Sequence, residues 1–157
     1  MIPRPPLARA LLAVLAAAAL AVTAASQVSV PVTLEMGSPF LSGRFTRDLH
    51  APEPGFRWTG ETGRVRLPAP GPARDVGVEV TLSAWRPRGQ PLPLAVLDAA
   101  GARAIVQTTP RPQTVRLEGR SRGAWAGEVE LALAAPALGP TPSDARRLGL
   151  RLHRVRL

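Results

Sequence analysis

FRWTGETGRVRLPAPG, residues 56–71, decides how the rest of the chain is read. Val65 and Leu67 alternate with Arg64 and Arg66, the two-residue period of a strand with one buried face and one wet face. Phe56 and Trp58 likewise share a face, and Arg57 and Thr59 take the other. The Gly-Glu-Thr-Gly segment between the two runs has turn chemistry, so the spacing predicts a hairpin there. Placing the large rings in the core makes Trp58 an interior residue whose indole N–H needs a buried acceptor. Arg57 is then the side chain left facing outward, free to bind.

The same period recurs along the chain. QVSVPVTLEM (27–36) alternates Val28, Val30, Val32, Leu34 and Met36, with Pro31 on the opposite face, where an edge strand tolerates it. DVGVEVTLSA (75–84) alternates Val76, Val78, Val80, Leu82 and Ala84. PLPLAV, RAIVQ, TVRLE, GEVELAL and LGLRL continue the series between Pro/Gly turns. The 18 prolines interrupt the chain too often for long helices. About eight or nine such strands predict an all-β fold, an antiparallel β-sandwich of the jelly-roll kind, with a closed barrel as the alternative.

Three local expectations follow from phase. Leu148, Leu150 and Leu152 fall on one face and Val155 and Leu157 on the other, which predicts a β-bulge at His153–Arg154. Trp125 shares the phase of Val129, Leu131 and Leu133 and is expected to point inward. SDARRLG (143–149) is expected to make one short helical turn, capped by Ser143 or Asp144 and ended by Gly149.

The N-terminus carries an address. Arg4 and Arg9 precede an uncharged run from Ala10 to Ala25, so residues 1–25 read as a signal peptide or an uncleaved membrane anchor, with one hydrophobic helix. The basic flank keeps the N-terminal end in the cytoplasm and sends the rest outside. Val22-Thr23-Ala24 and Thr23-Ala24-Ala25 offer small-residue cleavage sites. Residues 26–157 are then one extracytoplasmic domain, secreted or tethered to the outer face of the cytoplasmic membrane.

Composition narrows the chemistry. No cysteine is present among the 157 residues, which excludes disulfides, a thiol nucleophile and Cys-ligated metal sites. The net charge is +9, yet every basic residue is Arg, and Lys, Asn and Tyr are absent. A GC-rich coding composition accounts for that basicity. The arginines are scattered and often lie beside Glu, so no nucleic-acid partner is expected.

The catalytic inventory is thin. His50 and His153 lack metal-ligand spacing, no GxSxG or phosphate loop occurs, and no metal or cofactor is expected. Asp48, His50 and Glu53 cluster in RDLHAPE, which reads as a polar loop between strands. Glu79, Glu118, Glu128 and Glu130 sit on polar strand phases, opposite Arg64, Arg66, Arg116 or Arg151 across a solvated sheet. Trp85 is the exception among the tryptophans, because it lies out of phase with Val76–Ala84 and precedes Arg86 and Arg88 in WRPRG. Trp85, Arg86 and Arg88, with Arg57 second, are the ligand-binding candidates: an indole packs on the C–H face of a sugar while the arginines donate to hydroxyls.

Glu53, Phe56–Thr59, the VRLP run at Val65–Pro68, Trp85–Pro87, and Arg146, Leu148 and Gly149 near the C-terminal end together form a recurring pattern. In these residues the chain, over about 37–157, resembles a bacterial extracytoplasmic β-sandwich found beside membrane-spanning segments in proteins related to polytopic cell-envelope glycosyltransferases. It also resembles galactose-binding-like jelly rolls more broadly. The resemblance implies fold and compartment, without transferase chemistry. The expected function is a non-catalytic binding or accessory domain at the cell envelope, with envelope glycan or a membrane protein as partner. The alternatives are a structural subunit of a membrane complex with no small ligand, and a jelly-roll hydrolase or lyase.

Overall fold

The computed structural model describes residues 14–15, 31–41, 43–69, 75–120, 127–142 and 144–157. The chain divides into two compact units, Met1–Val30 and Pro31–Leu157. In the first, Val14 and Leu15 are helical, and the expected export segment otherwise lies outside the described residues, as do Trp125 and Ser143. No helix among the described residues is long and apolar enough to cross a membrane.

The second unit is all β. Its nine strands are β1 (Thr33–Glu35), β2 (Thr46–Glu53), β3 (Phe56–Ala69), β4 (Asp75–Ala84), β5 (Leu94–Ala99), β6 (Ala102–Gln107), β7 (Gln113–Arg120), β8 (Gly127–Ala134) and β9 (Leu150–Arg156). All pairings are antiparallel, in the order β6-β5-β8-β3-β9-β4-β7, with β1 on β9 and β2 on β3. The sheet curls until its ends meet. The Arg120 amide donates to the Ala100 carbonyl (2.9 Å), joining the β5–β6 turn to the end of β7. The result approaches a barrel.

The bend is set by β3. Its first half pairs with β9 (Arg57 with Leu152, Trp58 with Arg151), and its second half pairs with β8 from Thr62 to Ala69. The expected hairpin at Gly60–Gly63 is therefore corrected: the chain stays extended through GETG. Turn composition is overridden because each edge group finds a partner, Gly149 N on Thr59 O (2.8 Å) and Ala135 N on Glu61 O (3.0 Å). Gly60 and Gly149 mark the place where β8 and β9 part. A Cβ on Gly149 would collide with the Gly60 carbonyl, so this close backbone approach requires glycine.

The interior holds Met36, Val65, Leu67, Val78, Val80, Leu82, Leu97, Leu131, Leu150, Leu152 and Val155, all fully buried. Each such side chain contributes roughly 1.5–3 kcal/mol by leaving water. The bulge on β9 falls at His153: Thr81 pairs with Arg154 and Leu82 with Leu152, leaving His153 as the extra residue. That extra residue reverses the phase and brings Val155 back into the core.

The odd-numbered phase faces inward in both halves of β3, at Arg57 and Thr59 and again from Gly63 to Leu67, with Glu61 exposed between them. Arg57 and Thr59 face inward with Leu152 and Leu150, whereas Phe56 and Trp58 lie on the outer face with Arg151. The inward assignment of the two rings is thereby corrected, as is the outward one of Arg57. The physical reason is that Arg57 closes the open end of the core. Its guanidinium donates to the carbonyls of Met36 (2.9 Å), Ser38 (3.1 Å) and Leu41 (2.9 Å).

The helical turn expected in SDARRLG also gives way. Leu138 and Leu148 form a bridge, as do Thr141 and Asp144. The Asp144 carboxylate accepts from the Arg146 amide (3.0 Å), so it closes a tight turn instead of capping a helix. Arg146 then reaches Glu53 on β2 (3.0 Å), His50 Nε2 meets the Arg147 carbonyl (2.9 Å), and Arg147 pairs with Glu61. These three ties strap the segment before β9 across β2 and β3.

Candidate functional site

The outer face of β3, β9 and β4 gathers side chains far apart in sequence. Trp58, Arg151 and Ser83 form one row across the three strands. The Arg151 guanidinium stands over both rings, 4.7 Å from the Trp58 centroid and 5.2 Å from that of Phe56. Phe56 meets Trp58 edge to face at 5.7 Å. Burial of Trp58 (4% exposed) is thus achieved on the outside of the sheet, beneath a cation.

Arg151 differs from most of the outward arginines of the sheet. Arg64 and Arg66 share Glu130, Arg116 pairs with Glu79 and Glu118, and Arg154 pairs with Glu35. Arg151 has no carboxylate partner, and its Nε is the one buried side-chain nitrogen or oxygen without a hydrogen bond among the described residues. The expected cross-strand pairing to a glutamate therefore fails here, since the neighbouring positions hold Trp58 and Ser83.

Beside that row, Ser83 Oγ lies 2.9 Å from His153 Nε2, and His153 Nδ1 lies 3.2 Å from the Gly55 carbonyl. The carbonyl can only accept, so Nδ1 carries the proton and Nε2 accepts from the Ser83 hydroxyl. Burial holds the His153 pKa below its ordinary 6.5, against the Gly55 bond that raises it, and Arg151 lowers it further. A base-oriented serine resembles part of a nucleophilic triad. Ser83 is only 1% exposed, however, so a substrate carbonyl has no path to its oxygen. The pair instead fills the space beside the bulge.

Asp144 and Glu53 both bind Arg146, and that hydrogen bonding pulls the Asp144 pKa from 3.8 to about 2. A carboxylate held so firmly ionised is a poor proton donor and a weak base near neutral pH. Asp48 is exposed and Asp48 and His50 lie apart from any third ligand: no group of three His, Asp or Glu able to hold a metal occurs among the described residues.

The four sequence candidates separate. Trp85 follows Ser83 by two residues and is 42% exposed, one step past the Ala84–Leu150 pair. Arg88 is exposed and makes no hydrogen bond or ion pair among the described residues. Arg86 is tied back to the carbonyls of Trp85 (2.9 Å), Gly149 (3.4 Å) and Pro136, and burial lowers its pKa. Arg57 lies in the interior, away from the other three, with its donors spent on the β1–β2 connection. Arg151 and Trp58 are the additions that sequence reading missed. The signal was the odd phase of Val65 and Leu67, which, resumed on the far side of GETG at Thr59 and Arg57, turns Trp58 outward.

No protein-family model matches the chain, and no curated protein matches it. Among solved structures, it is similar to the C-terminal CBM6 of a marine laminarinase from Zobellia galactanivorans, with 11% identity over 81% of this chain and 98% of that one, TM-score 0.44. It is similar also to a GH26-CBM35 β-(1,4)-mannanase from Podospora anserina, with 9% identity over 80% of this chain and 27% of that one, TM-score 0.44. A third is an exo-β-1,3-galactanase from Phanerochaete chrysosporium, solved with galactose, with 12% identity over 83% of this chain and 30% of that one, TM-score 0.42. At such identities and TM-scores these likenesses assign no ligand to this chain.

Proposed function

We propose that the chain is an exported β-sandwich of the jelly-roll kind that binds glycan at the outer face of the cytoplasmic membrane without cleaving it. The observation that carries this reading is Trp85, a large ring left 42% exposed one residue past the end of β4. Arg151 is its diagonal neighbour across β4 and β9, a spacing of about 7–8 Å. In this reading Trp85 stacks on the C–H face of a sugar, Arg88 and the terminal nitrogens of Arg151 donate to its oxygens, and Arg86 fixes the loop that carries both Trp85 and Arg88.

The test is a titration of the protein with envelope polysaccharides, read by tryptophan fluorescence and by a glycan array. Binding that weakens tenfold or more in Trp85→Ala, with the melting curve unchanged, supports the reading. No binding on any glycan, together with a silent Trp85→Ala, ends it.

A second reading, a structural subunit of a membrane complex, draws on Leu94 (53% exposed) and Ile105 (68%), which stand on the outer side of β5 and β6. Crosslinking from position 105 in isolated membranes would recover a protein partner on this reading and none on the first.

A further inference from the structure

Phe40 is 92% exposed, the most exposed of the described large apolar side chains. It does not project from a loose loop. The buried Arg57 grips the carbonyls of Ser38 and Leu41 on either side of it, and the Phe40 amide bonds Ser38 Oγ (3.3 Å). A ring held out in water by a rigid support needs a reason outside the fold.

Two neighbouring surfaces supply one. Phe40 joins Leu34, Leu41 and Phe45 along a shallow apolar cleft, with β1 as one wall. Phe45 is shared with a second depression, lined by Arg44, Arg47, Arg64 and Arg66 against the single acid Glu130. Glu130 is already divided between Arg64 and Arg66, both at 3.4 Å, and Arg44 and Arg47 have no ion-pair partner among the described residues. An apolar ring beside an excess of guanidinium groups matches the layered chemistry of an anionic bilayer surface, phosphate outside and acyl chain within. In sequence, β1 is the first strand among the described residues after the apolar N-terminal run.

From this juxtaposition we infer that the Phe40 edge of the domain is a membrane-contact surface: Phe40 enters the acyl boundary and Arg44, Arg47, Arg64 and Arg66 engage phosphate-bearing anionic headgroups. This surface is separate from the Trp85 face, and it stands or falls independently of glycan binding.

The native chain has no cysteine, so one introduced thiol carries one label. The full chain with Pro39→Cys is spin-labelled and reconstituted in phosphatidylcholine vesicles with or without phosphatidylglycerol; Ile105→Cys, on the exposed β6, is the control. The label at 39 should be shielded from a water-soluble relaxing agent only in the anionic vesicles, while the label at 105 stays wet. Adding Phe40→Asp should abolish the shielding. Adding Arg44→Ala with Arg47→Ala should lower the ratio of shielded to exposed label roughly thirtyfold, the loss of two headgroup contacts. Circular dichroism of each variant reports whether the fold is retained. The inference is overturned if position 39 is as wet as 105, or is shielded equally in neutral vesicles. Shielding in the absence of lipid would also overturn it, because the occupant would then be protein.

Discussion

Arg57 and Arg151 occupy neighbouring strands and opposite faces, and their chemistry differs accordingly. Arg57 has every contact inside the protein. Replacing it by Met keeps the stem and removes the donors to three carbonyls, which should cost about 2–4 kcal/mol in denaturant unfolding. Trp85 is the reverse case: truncation to Ala should change stability by less than about 1 kcal/mol, because much of the ring is already in water. Hydropathy alone does not distinguish these environments. It sends tryptophan inward and arginine outward, which holds for most side chains. At the end of this core, three unsatisfied carbonyls made a buried guanidinium more favourable, and a stacked Arg151 gave Trp58 shelter outside. The exposure of Trp85 was legible because the residue falls out of phase with Val76–Ala84. Arg151 was not, since its isolation depends on which residues the register sets beside it.

At the level of the element, β9 is the most instructive. Its bulge was legible as a change of phase between Leu152 and Val155, with no contact information needed. Deleting His153 should restore a regular ladder with Leu152 and Val155 both still facing the core, and cost only the hydrogen bonds to Ser83 and Gly55, about 1–3 kcal/mol by chemical denaturation. The bulge also carries a pH signature. His153 has its folded pKa below the ordinary 6.5, so the unfolded chain binds the proton more readily. Its contribution is complete above pH 6.5 and declines as pH falls through the folded value. His153→Gln should therefore flatten the stability profile below 6.5, down to where carboxylates titrate near about 4. The Asp144 tie behaves differently, since its pKa of about 2 keeps the strap closed until strong acid. Exchange of the Arg146 amide against pH reads this directly. GETG and SDARRLG were misread for one shared reason: turn-rich composition describes local preference, whereas here the edges of β8 and β9 decided the backbone path.

For the molecule as a whole, the alternating runs were enough to announce eight or nine antiparallel strands, but not their order or how far the sheet closes, which rest on pairings between distant segments. The curl of the sheet relies on Gly119, where a Cβ would strike the Ala100 carbonyl. Gly119→Val should push the β5–β6 turn away from β7, lower stability by about 2 kcal/mol or more, and release the Arg120 amide to hydrogen exchange. The same order governs how the chain can be made. β9 is last among the nine strands and pairs with β1, β3 and β4, which are all synthesised before it. Until Leu150–Arg156 has left the ribosome or the export channel, those three strands lack their common neighbour and their edges stand open. Such long-range closure is slow compared with hairpin formation. On the proposed export through a channel for unfolded chains, a protein with this topology would cross the membrane as an unfinished sheet and complete itself on the far side.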